Sequence, residues 1–188
     1  MNAFLIGTAV IFIAELGDKS QLMALTFATR FKTMPVLIGI TAATAIVHAV
    51  SVIVGAAIGA SIPTRPISIV AAIAFVIFGF WTLRGDELTD DDEARSEAIS
   101  GRRVIMSVAT VFFLAELGDK TMLATITLAT QEGLVGTWIG STVGMVAADA
   151  LAIVVGRQLG ARLPERTIRI GASIAFFLFA GVLLFEAL

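Results

Sequence analysis

Ala14-Glu15-Leu16-Gly17-Asp18-Lys19-Ser20 returns 101 positions later as Ala115-Glu116-Leu117-Gly118-Asp119-Lys120-Thr121, with one serine exchanged for threonine. Each copy lies in the middle of a long apolar segment, residues 3–29 and 104–130. Sliding the chain along itself by the same 101 positions, without a gap, extends the match well beyond the motif. Gly39 meets Gly140, Gly55 meets Gly156, Gly59 meets Gly160, Pro63 meets Pro164, Arg65 meets Arg166, and Ala74-Phe75 meets Ala175-Phe176. One unit has been duplicated.

Further apolar segments cover 36–60, 67–84, 134–159 and 167–187. With 57% apolar and 15% charged residues and a mean hydropathy of +0.95, the composition lies outside soluble-domain usage. A chain of 188 residues has room for about six spans and short loops. Backbone polar groups in hydrocarbon must be satisfied within the segment, so the spans are expected to be helices. Charges from Glu15 to Lys19 fall where a signal peptide would be apolar, so the first segment is expected to be retained as a span.

Three spans per copy is an odd number, so the second copy is expected to enter the membrane from the opposite face. The predicted fold is therefore an all-α membrane protein of six transmembrane helices in two inverted three-helix repeats. Outside the motifs, Arg30, Lys32, Arg84, Arg95, Arg102, Arg103, Arg157, Arg162, Arg166 and Arg169 fall on one side and only Arg65 on the other. That bias puts the first side in the cytoplasm and both termini outside it. The domains predicted are repeat 1 over 1–84, an acidic cytoplasmic linker over 85–103 and repeat 2 over 104–188. The linker carries Asp90-Asp91-Asp92-Glu93 and reads first as a solvated connection, with cation attraction as the less favoured role.

Glu15, Asp18, Lys19, Glu116, Asp119 and Lys120 would stand near the bilayer centre. At about 2.5–3.5 kcal/mol each, six isolated charges would cost roughly 15–21 kcal/mol, so they must be paired, hydrated or engaged with a ligand. Glu and Asp at i and i+3 would share a helix face, and Lys at i+4 would reach back to Glu. Gly17 and Gly118 allow the helix to loosen, and glycine-interrupted spans at matching positions of two halves point to a transporter site. Brought together across a pseudo-two-fold axis, four carboxylates and the hydroxyls of Ser20 and Thr121 make an oxygen set suited to a hard divalent cation. The chain has no cysteine and one histidine, which excludes thiolate and His-rich metal sites. Four carboxylates against two ammonium groups leave two negative charges, the balance for one divalent cation or two protons. The competing reading makes Glu15–Lys19 and Glu116–Lys120 internal salt bridges that lock helix packing. It leaves an excess of acid on both segments at the depth where unpaired charge is least tolerated.

A further polar layer lies on the next segments. His48 is mid-segment, and the residue 101 positions on is Asp149. Thr41, Thr44, His48 and Ser51 fall at helical spacing, as do Thr142, Met145 and Asp149, and both stripes are expected to line one path. His48 is a candidate for proton handling or for support of the site, its plainer role being a neutral imidazole within the bundle. Asp149, with no cation in its own mid-segment, is the candidate fifth carboxylate. Lys19 and Lys120 are expected to take part in proton coupling or to support the ligands.

Two Glu-x-Gly-Asp-(Lys/Arg)-(Ser/Thr) motifs in inverted three-helix halves resemble the family of cation/proton antiporters that includes the Golgi calcium/manganese exchangers of eukaryotes and bacterial manganese exporters of the Mnx and MneA type. The resemblance covers nearly the whole chain and extends to the acidic central loop. It implies that Glu15, Asp18, Glu116 and Asp119 are cation ligands supported by Ser20 and Thr121. It implies export of Mn²⁺, with Ca²⁺ second, across the inner membrane in exchange for protons. Partners are then the metal ion, protons and the lipid bilayer; no nucleic acid is expected, no cofactor beyond the transported cation is called for, and a homo-oligomer stays open. Two other functions compete with this one: an exporter of a small organic cation or amino acid, which wants a larger and more aromatic pocket, and an intramembrane enzyme acting on lipid phosphates, for which no nucleophile-and-base set is visible.

Overall fold

The computed structural model describes residues 2–61, 63–84, 104–159 and 165–187, and the acidic linker expected over 85–103 lies outside the described residues. Eight helices are found among the described residues: α1 (Asn2–Glu15), α2 (Lys19–Arg30), α3 (Thr33–Ser61), α4 (Thr64–Arg84), α5 (Val104–Glu116), α6 (Lys120–Ala129), α7 (Leu134–Leu159) and α8 (Glu165–Ala187). The secondary structure of the described residues is all-helical. Over Thr33–Ser61, Arg65–Arg84 and Leu134–Gly156 the helices are long and apolar enough to cross a membrane, while Asn2–Glu15, Val104–Glu116 and Arg169–Phe185 are shorter apolar helices.

The segments 3–29 and 104–130, expected as single helices, are each broken in two. Gly17 has φ +76° and Gly118 φ +78°, the left-handed conformation in which glycine ends a helix without a Cβ penalty. The next residue begins the following helix. Asp18 and Asp119 are the extended N-cap residues of α2 and α6, and Asp18 Oδ2 accepts from the Ser20 backbone N–H at 3.4 Å. Glycine after one helix and an aspartate cap before the next are thus written back to back in Gly-Asp.

Packing follows the repeat. α1 lies along α7 and α5 along α3, while α6 also packs on α3 and α2 on α7. The contacts are images of one another. A Cβ on Gly140 would fall 2.3 Å from the Phe4 carbonyl oxygen, and one on its counterpart Gly39 would fall 2.8 Å from that of Ile105, the counterpart of Phe4. Gly55 faces Ile126 in the same way, and Gly156 faces Leu25, the counterpart of Ile126. Close backbone approach through small residues is how helices associate where no hydrophobic effect drives them together. Two pairs of equivalent residues meet each other directly: Thr44 donates to the Met145 sulfur at 3.4 Å, and the rings of Phe75 and Phe176 lie 5.9 Å apart. Self-contacts of this kind mark a pseudo-two-fold axis.

The apolar core divides into two clusters. One joins Met23, Phe27, Ile40, Val108, Phe112 and Ile153 from α2, α3, α5 and α7. Val10, Ile11, Leu128 and Met145 of α1, α6 and α7 form the other, together with Phe75, Phe78 and Phe176 of α4 and α8. Helices α4 and α8 pack tightly on each other and join only the second cluster, a departure from two-fold symmetry.

Candidate metal centre

The breaks carry the acids into the interior. Glu15 ends α1 and Glu116 ends α5, so the carbonyl ends of two helices run into one region, where the partial negative charge of a helix C-terminus favours a cation. Glu15, Asp18 and Glu116, all buried, each bring a carboxylate oxygen to within 4.8 Å of the other two. Acids from both repeats therefore share one site. Asp119, the fourth expected acid, is buried but is not one of the three whose oxygens converge.

Both hydroxyl candidates serve the glutamates. Ser20 Oγ donates to Glu15 Oε1 and lies 2.9 Å from Asp18 Oδ2, and Thr121 Oγ1 donates to Glu116 Oε2 at 3.0 Å. The second glutamate oxygens, Glu15 Oε2 and Glu116 Oε1, are buried with no hydrogen-bond partner among the described residues. Such an oxygen is costly unless it meets a proton or a cation.

The lysines do not reach back to their own glutamates. Lys120 pairs with Asp18, and Lys19 Nζ lies 3.7 Å from Asp119 Oδ1, so each ammonium bonds the aspartate of the other repeat. The i,i+4 geometry requires a continuous helix, and the glycine break removes it between Glu15 and Lys19. The internal salt-bridge reading fails for the same reason.

Asp149 on α7 is fully buried, both its oxygens are without hydrogen-bond partners among the described residues, and it directly follows Ala148, whose carbonyl accepts from Gln21. It is not one of the three acids whose oxygens converge. His48, its counterpart on α3, is equally buried with Nδ1 unpartnered among the described residues. Thr44, Ser51 and Met145 are buried as the stripes predict. Thr41 is not: it stands at the edge of its stripe, is exposed, and donates to the Leu37 carbonyl.

One residue that the sequence does not single out belongs here. Gln21 is 4% exposed; its Oε1 accepts from the Gly17 backbone N–H at 2.8 Å and its Nε2 donates to the Ala148 carbonyl at 2.9 Å. An uncharged amide whose partners are backbone atoms leaves little trace in a sequence. The available signal is its mismatch across the repeat, where Met122 stands.

Residues 3–90 and 104–188 match the protein family described as "Divalent cation/proton antiporter GDT1". The chain is 30% identical over 183 residues to a Vibrio cholerae protein named "Putative manganese exporter", covering 96% of this chain and 89% of the relative. It is 29% identical to "GDT1-like protein sll0615" of Synechocystis, covering 97% and 96%. It is 24% identical to "Divalent cation/proton antiporter GDT1" of Saccharomyces cerevisiae, covering 100% and 85%. No solved structure matches.

Proposed function

Since the chain belongs to the GDT1 family of divalent cation/proton antiporters, a family of transporters and not of enzymes, we propose that it exports a divalent cation from the cytoplasm in exchange for protons at the carboxylate centre described above. The observation that carries this reading is the meeting of Glu15 and Asp18 with Glu116 from the other repeat, with a buried unpartnered oxygen on each glutamate. Mn²⁺ is the first-choice cargo and Ca²⁺ the second, because the donors are carboxylate and hydroxyl oxygens and one relative is named for manganese export. An organic cation or amino acid is disfavoured by a site built of crowded acids.

In this reading Glu15, Asp18, Glu116 and Asp119 hold the cation, Ser20 and Thr121 support the glutamates, and Lys19 and Lys120 keep the aspartates of opposite repeats in register. Asp149 serves as a proton-carrying fifth acid, and His48 stands apart as a supporting polar residue. Protons and cation compete, since the same oxygens cannot hold both.

The proposed arrangement in the inner membrane has six spans, α1 with α2 and α5 with α6 each forming one broken span, and both termini outside the cytoplasm. Repeats 1–84 and 104–188 are then inverted, and the half-helix ends meet at mid-membrane. On that orientation α4 and α8 lean on the extracytoplasmic half of the core, formed by α1 and α6. Tilting the pair toward α2 and α5 would exchange the side from which the centre is reached.

Reconstituted vesicles test the function. A pH gradient should drive Mn²⁺ uptake into vesicles, and Glu15→Gln or Glu116→Gln should abolish it at equal protein content. Normal transport by either variant would overturn the assignment.

A further inference from the structure

The two breaks carry the same acids but are closed by different side chains. At the first, the Gln21 amide bonds the Gly17 N–H on one side and the Ala148 carbonyl of α7 on the other, directly beside Asp149. At the second, the Gly118 N–H meets the Met122 sulfur at 3.2 Å, a weak acceptor. A thioether has no proton to donate, so Met122 cannot bond α3 as Gln21 bonds α7. The carbonyl it would reach by symmetry, that of Val47, accepts instead from the Ser51 hydroxyl at 2.8 Å. At the glycines exposure follows the same division, Gly17 being half-buried, whereas Gly118 is exposed and Leu117 is 47% exposed; at the lysines it runs the other way, with Lys120 buried.

We propose that Gln21 is a positioning residue that fixes Glu15 and Asp18 to α7 beside Asp149, and that the second break, whose glycine N–H is held by a thioether and not by an amide bonded to α3, is the half of the centre that moves during turnover. This rests on the antiport reading given above. One rigid half-site gives the arriving cation preorganised oxygens, which bears on affinity. A glycine held through a weak acceptor is less fixed at that point than one held by an amide, and moving elements are drawn from the less stable parts of a fold. The duplicated sequence would then encode two jobs by one amide-for-thioether difference.

Hydrogen exchange followed by mass spectrometry on the protein in lipid nanodiscs tests the rigidity directly. Residues 14–21 should exchange more slowly than residues 115–122. Gln21→Met should speed the first stretch, and Met122→Gln should slow the second. In reconstituted vesicles, Gln21→Met should raise the half-saturating Mn²⁺ concentration about tenfold with the maximal rate per folded molecule kept. Met122→Gln should lower the maximal rate with half-saturation kept. Equal exchange at the two breaks in the unaltered protein, or a Gln21→Met variant that shifts only the melting temperature, would overturn the proposal. Should Gln21→Met fail to fold, the unaltered protein and Met122→Gln still decide it. If the vesicles move no divalent cation, the antiport reading falls, while the exchange comparison separately decides whether the breaks differ in rigidity.

Discussion

Lys120 pairs with Asp18 of the other repeat rather than with Glu116, four residues before it in its own. The reciprocal pair, Lys19 with Asp119, is looser at 3.7 Å, and its lysine side chain is 21% exposed against 2% for Lys120. Removing one partner of a buried pair strands the other charge, at a cost of about 3–5 kcal/mol, and the loss is smaller where the pair is longer and water reaches the lysine. Lys120→Met should therefore lower the melting temperature in detergent well below that of the unaltered protein, and Lys19→Met much less. Equal losses would contradict the asymmetry.

Two glycines should fail for different reasons. A methyl group on Gly118 would meet open space, but its φ is +78°, so Gly118→Ala is strained by roughly 1 kcal/mol through its backbone alone. It should fold and transport slowly. Gly140 has ordinary φ but faces the Phe4 carbonyl, which a Cβ would approach to 2.3 Å. Gly140→Val should unseat α1 from α7 and markedly reduce the folded yield, as read by size-exclusion chromatography.

Much of this is legible in the chain. The repeat offset identifies the equivalent contacts, and charge at mid-segment identifies the centre, because acids in an apolar run are too costly to persist without a partner or a ligand. The broken helices are legible only as a loosening at Gly17 and Gly118; that the break is complete depends on glycine entering the left-handed region while the following aspartate takes the extended N-cap position of a new helix. The lysine partners differ from those expected because i,i+4 spacing presumes an unbroken helix. Gln21 escapes a reading of the sequence because its second partner, the Ala148 carbonyl, is 127 residues away.

Metal affinity should depend on pH with a definite sign. Carboxylate ligands bind the cation when deprotonated, so binding releases protons and acid weakens it. The apparent dissociation constant for Mn²⁺, measured by calorimetry in buffers of different ionisation heat, should rise as the pH is lowered from about 8 to about 6. Asp149→Asn should flatten that dependence while preserving Mn²⁺ binding. An affinity independent of pH would exclude competition at one site.

The orientation is open to labelling because the chain has no cysteine of its own. Lys32 and Gln131 are both exposed, and they lie in loops assigned to opposite faces. In intact cells a membrane-impermeant thiol reagent should modify Gln131→Cys and not Lys32→Cys. Labelling of both from outside would refute the six-span inverted arrangement.

A structure determined with Mn²⁺ bound, with the ion located by its anomalous scattering, tests the shared site most directly. The ion should lie among Glu15, Asp18 and Glu116, with at least one carboxylate oxygen from each repeat in its coordination shell. An ion held by one repeat alone, or found only at the acidic stretch 85–103, would contradict it.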